Sequence, residues 1–230
     1  MQRNFLVEDQ ILPLDRFDGT SPSPTVRPIL REVKRSPQPA PRTIHVSIVI
    51  HRHGWMIREL FEDLSEISTA DQIQVTLIEN VPETTHYRLD QLPFPVKVIR
   101  NETPKGFSAN HNAAFRSLPL SEQDIFVVLN PDVRLKGEPF KSMVRYLQSD
   151  PTLGVIAPAV VSPKGRLEDS ARPVPTFWRL FLKIFGRRGH FKLPVSGGKE
   201  YPDWVAGMMM AFRSEVFDKV GGFDENYHLY

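Results

Sequence analysis

The feature that most constrains this chain is an alternation that begins at Ile44. Short apolar runs rich in β-branched residues are followed by stretches whose apolar residues recur at helical spacing. "IHVSIVI", from Ile44 to Ile50, suits a buried strand. After His53-Gly54, the residues Ile57, Leu60, Phe61, Leu64 and Ile67 fall on one helical stripe. "IQVTLIEN" and "PVKVIRN" read as the second and third strands, "FSANHNAAFRSL" as a helix and "DIFVVLN" as a fourth strand. "EPFKSMVRYLQSD" is a further helix with Phe140, Met143, Val144 and Leu147 on one side. "LGVIAPAVV" and "VAGMMMAF" are later strands, the methionines reading as core filler. Uniformly apolar strands joined through helices build a mostly parallel sheet covered on both faces. The expected class is α/β, with a Rossmann-like sheet flanked by helices.

Before Ile44 the character differs. Residues 1–43 are rich in proline ("SPSPTVRP", "RSPQPAPR") and carry Arg27, Arg31, Lys34, Arg35 and Arg42. Proline removes backbone donors and like charges repel, so the expectation is a flexible or extended basic arm, either solvated or touching an acidic surface. Residues 44–230 then form the folded domain, long enough for one sizeable core. A net charge of +2 is too small to argue for a nucleic-acid binder. The absence of cysteine excludes disulfides and thiolate zinc sites. No run has the length of a secretory signal core or of a membrane span, so a cytosolic type of chain is expected.

In parallel sheets ligands bind beyond the carboxyl ends of the strands. That rule puts Glu79-Asn80, Asn101 to Gly106 and Asn130 to Asp132 on one rim. Asp132 is a lone carboxylate at a strand end, next to the rigid Pro131 and the neutral Asn130. It suits a hard divalent cation that also takes oxygens from a diphosphate, while the same three residues also make an ordinary turn. Lys105 and Gly106 precede a helix whose free N–H groups can face phosphate, and glycine allows close approach; an ordinary loop reads equally well. This is neither a Walker loop nor a dinucleotide fingerprint. Glu79 can accept from a base N3–H or a ribose hydroxyl, or belong with Asn80 to a plain polar strand end. For His51, His53 and His111, spacing supplies no third zinc ligand.

Taken in order, "HVSIVI", "LIEN", "RNETPKGFSANHN", "FVVLNPDV", "DWVAGMMMAFRSEVF" and "VGGFDENYHLY" resemble successive blocks of the inverting nucleotide-sugar glycosyltransferases of GT-A fold. The resemblance runs over residues 44–230 and is nearest to the rhamnosyltransferase-like branch, which often writes its metal motif as Asn-Pro-Asp. It implies that Asp132 holds Mg²⁺ or Mn²⁺ on the diphosphate of a nucleotide-sugar donor, with Asn130 in support. It further implies that Glu79, with Asn80 beside it, meets the nucleotide base, where the family usually carries Asp. Gly106, Asn110 and Asn112 would shape the donor pocket, with Lys105 nearby. Trp204 and Gly207 would line the sugar and acceptor side, Asp203 would be an acceptor-side acid, and Arg172 a phosphate or acceptor contact. "HRHG" departs from the family's usual turn after strand one, so that nucleotide contact is not carried over.

The activity implied is a single displacement at the anomeric carbon, moving a sugar to a polysaccharide or lipid-linked saccharide acceptor. Rhamnose from a dTDP donor is the case the resemblance implies, with UDP and GDP donors left open. The family's base lies in an acidic pair beyond the "GGFDE" block, and this chain ends at Tyr230. The catalytic residue is therefore unassigned, and the expectation is a donor-binding chain with impaired transfer. The alternative is a catalytically dead nucleotide-sugar binding module acting as a partner subunit. A nucleotidyltransferase is disfavoured, because no glycine-rich, arginine-containing loop follows strand one. Lastly, residues 176–192 place Trp178, Phe181, Leu182 and Phe185 on one helical stripe, with Arg179, Lys183 and Arg187 opposite. Such a helix either packs on the core or lies on an anionic membrane surface. Lipid-linked acceptors among the family favour the membrane, hence a cytoplasmic protein, peripheral at the inner face of the plasma membrane.

Overall fold

The computed structural model describes residues 43–82, 88–119, 121–162, 164, 170–171 and 201–227, together with the backbone of residues 4–14 and of Arg172. Its strands are β1 (Asn4–Leu14), β2 (Ile44–His51), β3 (Ile73–Val81), β4 (Val96–Arg100), β5 (Ile125–Leu129), β6 (Val133–Leu135), β7 (Val155–Val161), β8 (Ala171–Arg172), β9 (Trp204–Val205) and β10 (Met209–Arg213). The helices are α1 (Ile57–Glu66), α2 (Phe107–Arg116), α3 (Pro139–Ser149) and α4 (Ser214–Lys219).

Eight strands form one sheet in the order β4-β3-β2-β5-β10-β7-β1-β6, and β8 pairs with β9 separately. The half β4-β3-β2-β5 is parallel, as expected. Beyond β5 the sheet becomes mixed, because β10 runs antiparallel to both β5 and β7. The α/β class and the sequence-derived strands of residues 44–161 are those seen.

Two features differ from expectation. The basic arm read over residues 1–43 is not an arm over Asn4–Leu14, which forms a strand antiparallel to β7 and parallel to β6. Its apolar runs flank the polar "EDQ", and the register shifts between Leu6 and Ile11, where that insertion falls. The short β6, "VRL", was not anticipated either, since three residues after a turn carry little periodic signal.

Alternation within a strand explains the two-sided core. On one face Ile44, Val46, Ile48 and Ile50 of β2 pack with Leu60, Phe61 and Leu64 of α1 and with Phe140 and Leu147 of α3. β5 sends Val127 and Leu129 to that face and Phe126 and Val128 to the other, where Ala114 and Phe217 lie. Burying each such side chain stabilises the fold by about 1.5–3 kcal/mol. Arg213 then ties the layers, its guanidinium donating to the Leu153, Asp150 and Leu147 carbonyls where α3 ends. With both faces covered, the ends of the parallel strands are left to carry polar chemistry.

Candidate functional site

Register aligns the carboxyl ends of the four parallel strands. Ile50 of β2 lies opposite Glu79 of β3, and Glu79 opposite Arg100 of β4, while Ile48 faces Leu129 at the end of β5. One rim therefore gathers His51, Glu79-Asn80, Asn101 to Gly106 and Asn130 to Asp132.

Glu79 is paired across the strands. Its carboxylate accepts from Arg100 Nε at 2.8 Å, with the Glu79 side chain 3% exposed and that of Arg100 65% exposed. The group this pair presents to solvent is thus the guanidinium, and a nucleotide base reaching for Glu79 would meet Arg100 first. Arg100 carries no signal of this role along the chain, since only the pairing of β3 with β4 sets it opposite Glu79.

Asn80 and Asn110, both expected at the donor site, have their amides bonded to the chain itself. Asn80 Oδ1 accepts from the backbone N–H of Lys105 at 2.8 Å, and its Nδ2 donates to the Lys105 carbonyl at 2.9 Å and to His51 Nδ1 at 3.0 Å. Asn110 Nδ2 donates to the same carbonyl at 3.0 Å. Asn101 donates to Asn80 Oδ1 at 2.9 Å and to Asn110 Oδ1 at 2.7 Å. Lys105 itself is exposed and Gly106 is buried at the start of α2, whose first turn has no side-chain cap. Four N–H groups at such a start lack helical acceptors.

Asn112, expected to shape the donor pocket, is bonded to the chain as well. It faces the "GGFDE" block: Nδ2 donates to the Phe223 carbonyl at 2.8 Å and to Glu225 Oε1 at 2.9 Å, and Oδ1 accepts from Phe223 N at 2.9 Å. The Asn112 amide, followed by Arg116, holds the Glu225 carboxyl below the usual carboxylate range. Gly222 makes this approach feasible: its φ is +78°, and a Cβ there would lie 2.5 Å from Asn112 Oδ1.

Asp132 occupies the turn between β5 and β6 and is partly exposed. Among the described residues it has no hydrogen-bond or ion-pair partner. Arg134, two residues on, is turned elsewhere: it binds Asp63 through Nε at 2.7 Å and Nη2 at 2.5 Å, and Glu59 through Nη1 at 2.5 Å. Asp63 also accepts from Leu135 N at 2.8 Å, so α1 grips β6 and keeps the nearby cation off Asp132. The turn is fixed on its other side by Asn130 N, which donates to the Met208 carbonyl at 2.9 Å. No group of three or more His, Asp or Glu gathers among the described residues. The donor set fits a hard cation sharing its coordination with ligand oxygens, and does not fit an all-protein cage.

On the expected acceptor side, Arg172 and Trp204 pair in register between β8 and β9. Trp204 is 38% exposed and Asp203 beside it is exposed. Gly207 follows in a turn, where a Cβ would come 3.0 Å from Phe107 Cζ, so glycine lets α2 pack against this segment. Deeper in, His111 is fully buried with Nδ1 2.7 Å from Ser47 Oγ, and burial drives its pKa down to about 3. The helix expected over residues 176–192 lies outside the described residues. Among the described residues, no helix is long and apolar enough to cross a membrane.

A parallel half-sheet with an acidic turn at its rim, extended by an antiparallel β10, is the GT-A glycosyltransferase fold. Two solved structures share it: the mannosyltransferase PcManGT from Pyrobaculum calidifontis in complex with GDP-Man and Mn²⁺ (TM-score 0.52, 18% identity, 85% of this chain and 51% of that one), and GalNAc-T7 with UDP, GalNAc and Mn²⁺ (TM-score 0.54, 16% identity, 82% and 38%). The family model of Glycosyl transferase family 2 matches residues 45–221, and the chain belongs to that family. It is similar to the rhamnosyltransferase WbbL of Escherichia coli K12, at 24% identity over 201 residues, 81% of this chain and 72% of that protein. It is also similar to an N-acetylglucosaminyl-diphospho-decaprenol L-rhamnosyltransferase of Mycobacterium tuberculosis, at 28% identity over 116 residues, but there it spans only 38% of the relative's length. The rhamnosyltransferase-like character expected from the motifs agrees with these relatives.

Proposed function

We propose that this chain binds a nucleotide-diphosphate sugar with a divalent cation and serves inverting transfer of the sugar to a saccharide or lipid-linked acceptor. The observation that carries this reading is Asp132, a partly exposed carboxylate with no partner among the described residues, on the rim where the parallel strands end. Asp132 would hold Mg²⁺ or Mn²⁺, with the remaining ligands from the diphosphate; the Mn²⁺ in both solved neighbours supports a metal of this kind. A cation there supplies compensating charge for a departing diphosphate.

The chain's own residues do the rest. Lys105 and the uncapped start of α2 offer positive charge and free N–H groups to phosphate. Arg100, held by Glu79, offers a guanidinium face beside the nucleotide. Trp204 offers an exposed ring of the kind that packs on a sugar. The names of the rhamnosyltransferase relatives support rhamnose as the sugar, and dTDP is the carrier proposed for it.

Calorimetry with TDP, UDP and GDP, with and without Mg²⁺ or Mn²⁺, tests the site. Wild type should bind one diphosphate in a cation-dependent manner, and Asp132→Asn should lose at least tenfold of that affinity while remaining folded by circular dichroism. Equal binding by the variant would refute the assignment. A parallel transfer assay with dTDP-rhamnose distinguishes an enzyme from a module that only binds.

A further inference from the structure

The loop from Asn101 to Gly106 has no regular structure to satisfy its backbone, and Pro104 removes one donor from it. Yet the Lys105 peptide groups are engaged by two side chains, Asn80 at the end of β3 and Asn110 on α2, and a third, Asn101 just after β4, bonds both of those amides. These amides are 2%, 5% and 1% exposed. Buried amides are costly unless bonded, so three at one place need a reason that packing alone does not give.

The geometry supplies one. Asn80 meets the Lys105 N–H with its carbonyl and the Lys105 C=O with its N–H, as a neighbouring strand would. Asn110 adds a second donor to that carbonyl. Asn101 donates one N–H to each of these two amides, which fixes their oxygen and nitrogen ends. The remaining Asn80 contact reaches His51 Nδ1, at the end of β2. Lys105 therefore leaves the clasp with its peptide planes set, and Gly106 opens α2 from a fixed point.

We propose that Asn80, Asn101 and Asn110 are positioning residues that hold the Lys105–Gly106 loop preformed for the diphosphate of a nucleotide, with Asn101 orienting the other two. This rests on the nucleotide-sugar reading above. The clasp removes the freedom that the loop would otherwise lose on binding, which is how preorganisation raises affinity.

Asn101→Ala tests it in two measurements. In ligand-free protein, amide exchange at Lys105 and Gly106 should speed up at least tenfold in the variant, while exchange in β2 and β5 stays unchanged. In calorimetry with a nucleoside diphosphate and Mg²⁺, the variant should bind about tenfold more weakly, but less than threefold more weakly when made in a Lys105→Ala background. Unchanged exchange at Lys105 would overturn the clasp, whatever nucleotides do. Equal losses in both backgrounds, or none, would overturn its positioning role and leave Asn101 as a structural residue. If wild type binds no nucleoside diphosphate, the functional reading fails and the positioning role with it; the exchange data still judge the clasp alone.

Discussion

His111 should make the fold sensitive to acid, and the size of the effect follows from its burial. In the folded protein this imidazole takes a proton only near pH 3, against 6.5 for the ordinary group. Below 6.5 the unfolded chain therefore binds a proton that the native state refuses. Stability is fully present above that value and falls as pH drops, by about 1.4 kcal/mol per unit until the native group itself titrates. From pH 7 to pH 5 this one residue should cost about 2 kcal/mol, or a fall of about 4–8 °C in Tm for a chain of this size. His45, lowered by its own burial, adds to the trend, as do other groups, so the test is a difference between proteins. His111→Gln keeps a polar group near Ser47 Oγ and cannot titrate. Urea unfolding at the two pH values should show the variant losing about 2 kcal/mol less than wild type. If both proteins lose the same amount, the burial argument for His111 is wrong.

Two further outcomes follow from contacts outside the clasp. Gly222→Ala should destabilise by about 2–3 kcal/mol, combining left-handed strain with the loss of the Asn112 bond to Phe223 N, while Gly221→Ala, with open space around its Cβ, should cost only about 1 kcal/mol; equal midpoints in thermal unfolding would refute the contact with Asn112. Asp63→Ala should lower stability by about 3 kcal/mol, since it leaves Arg134 with Glu59 alone and frees Leu135 N; chemical denaturation with an unmoved midpoint would show that Asp63 does not hold β6 to α1.

The order of strands and helices from Ile44 to Val161 was legible because each strand is apolar throughout and each helix carries its stripe, patterns that depend on neighbours in sequence. Asp132 was legible for a related reason. A proline and a carboxylate directly after "FVVL" mark a strand end, and the parallel-sheet rule says where strand ends gather.

The roles of the polar residues were not legible in this way. Glu79, Asn80, Asn110 and Asn112 all belong to recognisable blocks, yet none of those blocks tells what each amide or carboxylate bonds. Arg100 lies 21 residues from Glu79 and Asn101 lies 21 from Asn80; only the parallel pairing of β3 with β4 brings them together. Asn112 and Glu225 are 113 residues apart.

Sequence alone determined the class of fold, the elements of its parallel half, and the one acid aimed from a strand end. Tertiary structure decided which of the described polar groups bond to the chain itself. Hydrophobic periodicity is local and repeats, so it can be read along the chain, whereas a hydrogen bond needs two groups within about 3 Å, and the fold alone sets that distance.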